Sequence, residues 1–409
     1  MKHRVYDELK ERGFIAQVTD EKTLCNTLAE GITCYVGFDP TAAALHVGHL
    51  LPIMALMHMQ RYGHRPIVLV GGGTAMIGDP SGKNEMRRIL SSAEIAENAE
   101  KIKTQFSRYL SFENDKALML NNADWLLPLS YIGFLRDIGK HFSVNRMIAT
   151  ESYRMRLETG LNFIEFNYML LQAYDFLHLY QKYGCILQMG GNDQWGNIVA
   201  GIELVRRVAG AAVYGMTFPL ITTAAGHKMG KTESGAIWLD ETKTSPYEYY
   251  QYWYNTDDRD VEKFLLLFTL LPVEEIKSFA QQGSNIRQAK ERLAFEATKI
   301  THGLHAAKKA QESSRNIFYG EGTDLDSVPV TIIDVERLKK GVAAYVLFEE
   351  SKLCSSRAEA RRLIEDGGAY INGKRVEHFD AAIRETDLQN GSIILRAGKK
   401  RYHRIKIPE

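Results

Sequence analysis

The sequence predicts an α/β fold, in which a Rossmann-like parallel-sheet domain is followed by an α-helical domain and a small α+β module. Apolar, strand-like segments end in glycine-containing loops that lead into helical patterns, at residues 34–62, 65–73 and 185–197. This alternation is typical of a parallel sheet covered by helices. Apolar residues then recur at helical spacing over residues 286–304, and an Asn-Gly turn joins two strand-like segments near the C-terminus.

Changes in composition along the 409 residues predict the domain boundaries. The sheet domain, helical domain, linker and small module are placed at residues 1–240, 241–320, 321–340 and 341–409. Ser245 and Glu248 form a predicted capping box at the first helix of the helical domain. The aromatic run at residues 247–255 is expected to pack in the core of that domain, because large aromatic side chains dominate cores; base stacking is the alternative.

Composition excludes several classes of protein. The chain is 45% hydrophobic and 25% charged, and its formal net charge is +1, so any nucleic-acid surface has to be local. The N-terminal segment has no apolar signal-peptide core, and no run of 18 apolar residues predicts a membrane span. The cysteines show neither CxxC nor zinc spacing, which favours a reduced, cytoplasmic protein without a structural metal; they are Cys25, Cys34, Cys185 and Cys354.

The segment HVGH, His46 to His49, marks the first change from strand to helix. A helix N-terminus offers unpaired N–H groups and a partial positive charge, which suit a phosphate. Thr41, His46 and His49 can add donors, and Gly48 lets a base or ribose approach the backbone. In the alternative interpretation the histidines only cap the helix or lie at the surface, and a bare HxGH motif does not decide between the two.

A second motif, HKMGKTESG, places Lys228 and Lys231 three residues apart, beside Thr232. Lysine is a compact charge on a flexible side chain, so such a loop can follow a moving phosphate. Taken alone, the motif is weak evidence, because most lysine–glycine loops are solvated turns. An HxGH motif followed about 180 residues later by a loop of this kind is far rarer than either motif alone.

A polar stripe is predicted on the helix that contains EFNYMLLQAYDF. Tyr168, Gln172 and Asp175 lie at offsets of 0, 4 and 7, within about 40° of one another on a helix. Burying such a stripe costs free energy unless it binds something. A solvent-facing stripe is the alternative.

The two motifs resemble the HIGH and KMSKS signatures of class I aminoacyl-tRNA synthetases. Together with YVGFDPTAAALHVGH, VGGGTAMIGDPSGK, FNYMLLQAYDF and GGNDQWGN, they are similar to the bacterial tyrosyl-tRNA synthetase family over residues 30–240. The terminal module is similar to the S-four-type RNA-binding fold. The resemblance implies a dimer-forming insertion in the sheet domain, an anticodon-stem role for the helical domain, and a homodimer. It also implies that ATP with Mg²⁺, L-tyrosine and tRNA(Tyr) are bound, and it implies no tightly bound protein metal and no membrane.

Residue roles come from this resemblance, position by position. The resemblance implies that Asp79, Tyr168 and Gln172 contact the substrate ammonium. It also implies that Asp175 and Tyr35 bind the phenol. The tyrosine-binding set is Tyr35, Asp79, Tyr168, Gln172, Asp175 and Gln194. The ATP-binding set is Gly37, Asp39, His46, Gly48, His49, Gly190, Asp193 and Lys231. The catalytic set is Thr41, His46, His49, Lys83, Arg87, Lys228, Lys231 and Thr232. For Asp79 and Asp193, helix N-capping is the alternative use.

The predicted tRNA contacts lie in two places. From residue 341 to 409 there are 13 Lys and Arg against 10 Asp and Glu, a net charge of +3. Clustering of cations on one predicted helix favours phosphate contacts, although a solvated helix face is the default for any charge cluster. The set is Arg357, Arg361 and Arg362, with Arg206 and Arg207 as candidate acceptor-arm contacts.

The sequence departs from the family pattern at three positions. Gly230 and Thr232 stand where the family often has serines, and Val36 stands where many relatives have a cysteine.

Three other functions are alternatives to this prediction: another HxGH nucleotidyltransferase, a tryptophanyl-tRNA synthetase, and a non-catalytic RNA-binding protein descended from a synthetase. The first lacks a lysine loop and a terminal RNA module, and Tyr35 with Asp175 argues against the second.

Overall fold

The computed structural model describes residues 5–81, 90–226, 229–232, 235–281, 286–319, 328–389, 391–398 and 401–408. Its contacts divide the chain into two compact units. The first unit combines residues 1–230 with 257–284, and the second combines 231–256 with 285–409. These contacts group residues 257–284 with the sheet domain, although the predicted boundary placed them in the helical domain. The assignment of roles to four segments stays a prediction.

The first unit is built on a six-stranded sheet in the order β1-β6-β5-β2-β3-β4. Its strands are β1 (Gln17–Val18), β2 (Thr33–Phe38), β3 (Arg65–Val70), β4 (Leu118–Asn121), β5 (Cys185–Gly191) and β6 (Tyr214–Phe218). All neighbouring strands are parallel except β1, which is antiparallel to β6. The predicted parallel α/β sheet is therefore confirmed, and the three predicted strands are β2, β3 and β5.

Among the described residues, helices lie between these strands in the first unit, and further helices belong to the second unit. In chain order they are α1 (Val5–Glu11), α2 (Glu21–Thr27), α3 (Leu50–Arg61), α4 (Ser92–Phe106), α5 (Ala123–Leu126), α6 (Tyr131–Asp137), α7 (Val144–Ile148), α8 (Glu151–Thr159), α9 (Phe163–Tyr183), α10 (Trp195–Ala209), α11 (Pro246–Tyr254), α12 (Val261–Phe268), α13 (Val273–Gln281), α14 (Ile286–Tyr319), α15 (Val335–Lys340), α16 (Ala344–Glu350) and α17 (Arg357–Glu365). Among the described helices, none is both long enough and apolar enough to cross a bilayer.

The core of the first unit lies between the sheet and the helices α9 and α10. Apolar side chains of β3, α9 and α10 are almost fully buried there, among them Ile67, Phe176 and Leu204. Strand β2 is buried on both faces apart from Gly37, as expected for a strand inside a parallel sheet. This packing holds the carboxyl ends of β2, β3, β4 and β5 at one edge, where ligands bind in open α/β sheets.

In the second unit, helix α11 packs against α14. Tyr249 and Trp253 of α11 are completely buried, so the prediction that the aromatic run packs in a core is confirmed. The capping box of Ser245 and Glu248 forms as predicted. Gly303 interrupts α14 with a φ of +86°, a backbone conformation that glycine adopts at little cost.

The small module contains a five-stranded sheet in the order β12-β11-β14-β15-β9. The strands of the second unit are β7 (Lys231–Thr232), β8 (Gly235–Ala236), β9 (Val330–Ile332), β10 (Val342–Ala343), β11 (Ala369–Ile371), β12 (Lys374–Arg375), β13 (Ala382–Ile383), β14 (Ser392–Ala397) and β15 (Arg401–Lys406). The predicted Asn-Gly hairpin joins β11 to β12, with positive φ at both Asn372 and Gly373.

Candidate active site

Polar side chains from two loops and one helix meet beyond the carboxyl ends of β2 and β3. Asp39 follows β2, Thr74 follows β3, and Tyr168 comes from the first half of α9. The Tyr168 hydroxyl donates to Asp39 Oδ2 at 3.1 Å, and the Thr74 hydroxyl donates to Asp39 Oδ1 at 2.8 Å. The structure therefore brings Asp39 and Tyr168, which the sequence assigned to different substrates, into direct contact.

Asp175 lies at the buried end of this site. Trp125 Nε1 donates to Asp175 Oδ1 at 2.8 Å, and Asn122 Nδ2 donates to Oδ2 at 2.9 Å. Burial raises the pKa of Asp175 to about 7; the bonds from Asn122 and Trp125 lower it, and the charge of Asp39 raises it. The carboxylate is thus a desolvated acceptor whose two oxygens are each held by an N–H group.

Tyr35 on β2 is the predicted partner of Asp175. Its side chain is 1% exposed, packs on Phe176 with the ring centroids 5.4 Å apart, and makes no hydrogen bond with the described residues. Burial and the nearby charge of Asp175 raise the pKa of its phenol well above the usual range. An unpartnered buried hydroxyl costs about 1–3 kcal/mol, which a ligand hydroxyl at this position would recover.

A second cluster connects Asp79 to the middle of α9. Asp79 Oδ2 accepts from Gln194 Nε2 at 2.7 Å, and Oδ1 accepts from the Ser81 N–H at 2.9 Å. Asn197 Nδ2 donates to Gln194 Oε1 at 3.1 Å and to Gln172 Oε1 at 3.0 Å. Asp79, Gln172 and Gln194 therefore lie together as the resemblance implies, and buried Asn197 joins them.

The HVGH segment forms a short 3₁₀ turn, Val47–His49, ahead of α3, and each of its two histidine side chains accepts a backbone N–H of the segment. His46 Nδ1 accepts from the Gly48 N–H at 3.0 Å, and His49 Nδ1 accepts from the His46 N–H at 3.1 Å. A ring nitrogen that accepts carries no proton, so each neutral ring carries its proton on Nε2. The capping interpretation is thus correct for Nδ1. The expectation of unpaired N–H groups is wrong at Gly48 and His49, whose N–H groups bond His46.

Gly48 and Gly230 are in close contact, which joins the HVGH turn to the start of the lysine loop. A Cβ on Gly230, whose φ is +90°, would lie 2.8 Å from the Gly48 N atom. A Cβ on Gly48 would lie 2.6 Å from His46 Cε1 and 3.5 Å from the Met229 carbonyl oxygen. Glycine at 230, where the family often has serine, is thus the residue that permits this approach.

The remaining candidates are placed less completely. Thr41 is exposed and donates its N–H to the Asp39 carbonyl at 2.8 Å. Asp193 is exposed, with Gln194 Nε2 3.3 Å from its Oδ2. Neither Asp79 nor Asp193 is the N-cap of a described helix. Gly37 is exposed on β2, and Gly190 is buried on β5. Lys83, Arg87 and Lys228 lie outside the described residues, and Lys231 and Thr232 are described only as the backbone of β7.

Four site residues are absent from the sequence prediction: Thr74, Asn122, Trp125 and Asn197. The run ALML before Asn121 and Asn122 repeats the pattern of an apolar strand followed by a polar loop, and it is a signal that could have identified Asn122. Trp125 carries no such signal, because its partner Asp175 is distant in sequence. Asn197 bonds Gln194 three residues away, but its bond to Gln172 depends on the tertiary fold. Within the described part of the chain, no group of three or more His, Cys, Asp or Glu side chains could hold a metal ion.

The candidate tRNA contacts are already engaged within the chain to different degrees. Arg206 is exposed and pairs with Glu203 at 2.9 Å, and Arg207 also donates to the His141 carbonyl. On α17, the Arg361 guanidinium stacks over Tyr345, 4.3 Å from the ring centroid. Arg357 lies 3.4 Å from Glu349, and Arg362 is exposed. Arg361 is also exposed, so all three arginines of α17 remain accessible to a phosphate.

Comparison with known proteins gives consistent matches over the whole chain. The family model of class I tRNA synthetases (W and Y) matches residues 27–319, and the SYY-like C-terminal domain of tyrosine–tRNA ligases matches residues 325–405. The chain is 57% identical to a tyrosine–tRNA ligase of Syntrophus aciditrophicus, over 98% of this chain and 99% of that one. It is 55% identical to that of Desulfatibacillum aliphaticivorans over 100% of both. A C-terminally truncated mitochondrial tyrosyl-tRNA synthetase from Aspergillus nidulans superposes with a TM-score of 0.70 at 30% identity, covering 78% of this chain and 95% of that one.

Proposed function

Because the chain belongs to the class I tRNA synthetases for tryptophan and tyrosine, and is a tyrosine–tRNA ligase, we propose that the site at the edge of its sheet activates L-tyrosine with magnesium–ATP and then transfers it to tRNA(Tyr). The resemblance drawn from the motifs is thereby confirmed. The rival assignments to another HxGH nucleotidyltransferase or to a tryptophan enzyme have no observation that favours them.

Recognition of tyrosine rests on the buried acceptor Asp175. The substrate phenol donates to Asp175 and pairs with the Tyr35 hydroxyl, which has no other partner among the described residues. Phenylalanine would leave the Tyr35 hydroxyl without a partner and would place an apolar ring edge against the Asp175 carboxylate, which would keep only Asn122 and Trp125 as donors. Tyrosyl-tRNA synthetase itself is the standard example of this kind of discrimination. At the other end of the substrate, Asp79, Gln172 and the oxygen of Tyr168 receive the ammonium group.

The first step needs no protein nucleophile. The carboxylate of tyrosine attacks the α-phosphorus of ATP in line, a P–O bond to pyrophosphate breaks, and tyrosyl-adenylate stays bound. The protein supplies position and charge stabilisation. His46 and His49 direct Nε2–H donors to the phosphates and ribose, because their Nδ1 atoms are occupied as caps. Thr41, Lys83, Arg87, Lys228, Lys231 and Thr232 complete the phosphate contacts.

The nucleotide occupies the same edge of the sheet. Asp193 accepts from the ribose hydroxyls, and Gly37, Gly48 and Gly190 leave room for the nucleoside beside Asp39. Magnesium enters with ATP as part of the substrate, and it needs no protein cluster of its own. The small module acts as an RNA-binding domain. The phosphates of tRNA are contacted by Arg357, Arg361 and Arg362 of this module and by Arg206 and Arg207 of the sheet domain.

The enzyme acts as a homodimer in the cytoplasm. Nine large apolar side chains between residues 127 and 163 are exposed, more than half of all such residues in the described part of the chain. Exposed apolar surface of this extent is typical of a protein interface. No disulfide joins any of the four cysteines, which agrees with a reducing compartment.

Amino-acid-dependent exchange of pyrophosphate into ATP tests the function directly. We expect exchange with tyrosine, and rates lower by orders of magnitude with phenylalanine and tryptophan at equal concentration. Exchange with tryptophan alone would identify the rival synthetase. If none of the three amino acids supports exchange and the protein still binds RNA, the non-catalytic alternative is favoured.

A further inference from the structure

Thr74 connects the two ends of the tyrosine site, and we propose that it is a positioning residue that couples recognition of the phenol at Asp175 to the arrangement of Asp39 and Tyr168. This inference rests on the proposed function and adds a residue to it. The hydroxyl of Thr74 accepts from Asn122 Nδ2 at 3.0 Å and donates to Asp39 Oδ1 at 2.8 Å. A continuous chain of hydrogen bonds therefore runs from Asp175 to Tyr168.

The direction of these hydrogen bonds is fixed by the backbone. The Gly73 N–H donates to Asn122 Oδ1 at 2.7 Å, so Oδ1 is the accepting end of the amide and Nδ2 is the donating end. Nδ2 then donates to both Thr74 and Asp175. Since the oxygen of Thr74 accepts this bond, its single proton points to Asp39.

This direction prepares both ends of the site for tyrosine. Asp39 accepts from two hydroxyls, those of Thr74 and Tyr168, so the oxygen of Tyr168 presents its lone pairs to the substrate ammonium. Asp175 is kept as an acceptor for the phenol by Asn122. Thr74 is 2% exposed and Asn122 is 1% exposed, so removing either group leaves its hydrogen-bond partners buried.

A glycine next to Asp39 makes this connection possible. A Cβ on Gly71 would lie 1.9 Å from Asp39 Oδ1 and 2.5 Å from Thr74 Oγ1. Only a residue without a side chain leaves room there for the carboxylate to reach the hydroxyl. The contact between Asp39 and Thr74 is therefore a feature of the local backbone and not an incidental rotamer.

The test compares Thr74→Val, which keeps the shape and removes the hydroxyl, with Thr74→Ser, which keeps the hydroxyl. In tyrosine-dependent pyrophosphate exchange we expect kcat/KM for tyrosine to fall about tenfold or more in the valine variant, the scale set by one buried group left unpaired. The preference for tyrosine over phenylalanine should fall with it. The serine variant should stay within about threefold of the wild type.

A double-mutant cycle separates positioning from a general structural defect. In a Tyr168→Phe background the hydrogen-bonded chain already lacks one end, so Thr74→Val should cost less than about threefold there. Full multiplication of the two losses, an unchanged valine variant, or a serine variant as impaired as valine would each overturn the proposal. If the valine variant does not fold, Thr74→Ala takes its place. Absence of tyrosine-dependent exchange in the wild type would instead refute the proposed function.

Discussion

Gly48 is the residue at which the HVGH turn is most sensitive to substitution. A methyl group there would lie 2.6 Å from His46 Cε1, so Gly48→Ala should displace the ring and break its cap on the Gly48 N–H. We expect kcat for tyrosine activation to fall about 10²-fold, the scale of one lost transition-state donor, while KM for tyrosine changes less than twofold. His46→Ala should show the same division between kcat and KM.

Pyrophosphate exchange at saturating ATP measures both parameters for Gly48→Ala. Gly31→Ala is the control, because Gly31 is exposed and a Cβ there would meet only the Gly63 carbonyl oxygen at 3.3 Å, and its activity should equal that of the wild type. A Gly48→Ala enzyme with normal kcat would show that the position of His46 is unimportant.

Asp175 should make stability depend on pH. Its pKa is raised by burial from 3.8 to about 7, so between about pH 4 and 7 the folded chain keeps a proton that the unfolded chain has lost. The contribution of this group to the free energy of unfolding therefore falls as the pH rises through that window, by up to about 1.4 kcal/mol per unit. We expect the melting temperature of the wild type, relative to Asp175→Asn, to decrease from pH 5 to pH 7. A difference that does not change with pH would contradict this.

Beside the residues assigned by the family resemblance, the sequence predicts a group whose spacing has a local meaning. Tyr168, Gln172 and Asp175 share a face because a helix turns about 100° per residue, and α9 places all three toward the site. Thr74 and Asn122 could not be found in this way, because their roles depend on two strand ends that only the sheet brings together. The cap on the Gly48 N–H is different, because it is a local contact that the capping interpretation of HVGH already included.

At the scale of elements, the helical period predicts that a segment is a helix but not which unit it joins. Helices α12 and α13 read as part of a helical domain, yet their contacts group them with the sheet unit. Arg12, just after α1, explains part of this. Its guanidinium donates to the carbonyls of Leu266 at 2.9 Å and Thr269 at 3.2 Å, and also to that of Leu271. A buried cation thus satisfies the carbonyl groups at the C-terminal end of α12.

Replacing Arg12 by methionine should therefore destabilise the first unit. The change keeps the apolar volume but removes the Arg12 donor from several buried carbonyl groups and from the carboxylate of Glu8. The free energy of unfolding should therefore fall by about 3 kcal/mol. Urea unfolding followed by tryptophan fluorescence measures it. Lys277→Met removes an exposed ion pair with Glu11 and should change stability by less than about 0.5 kcal/mol. Equal effects of the two substitutions would argue against the role given to Arg12.

At the scale of the whole molecule, the sequence pattern cannot distinguish an apolar residue that packs in the core from one that contacts a second subunit. Residues 127–163 show why, because 17 of these 37 residues are hydrophobic, about the same share as in the whole chain, yet many of them stay exposed in the folded chain. Ile132 is 71% exposed and Phe163 is 67% exposed. In the proposed dimer a second copy covers these residues, so such an interface depends on tertiary structure and not on local periodicity.

Ile132→Asp should therefore separate the proposed dimer. A carboxylate placed in an apolar interface costs about 3 kcal/mol, which raises the dissociation constant about a hundredfold. Light scattering after gel filtration at micromolar concentration should give the mass of one chain, 46.3 kDa, for this variant and twice that mass for the wild type. Leu220 lies outside residues 127–163 and is 65% exposed, so Leu220→Asp introduces the same charge and should remain dimeric. If both variants dimerise, or if the wild type has the mass of one chain, residues 127–163 do not form the interface.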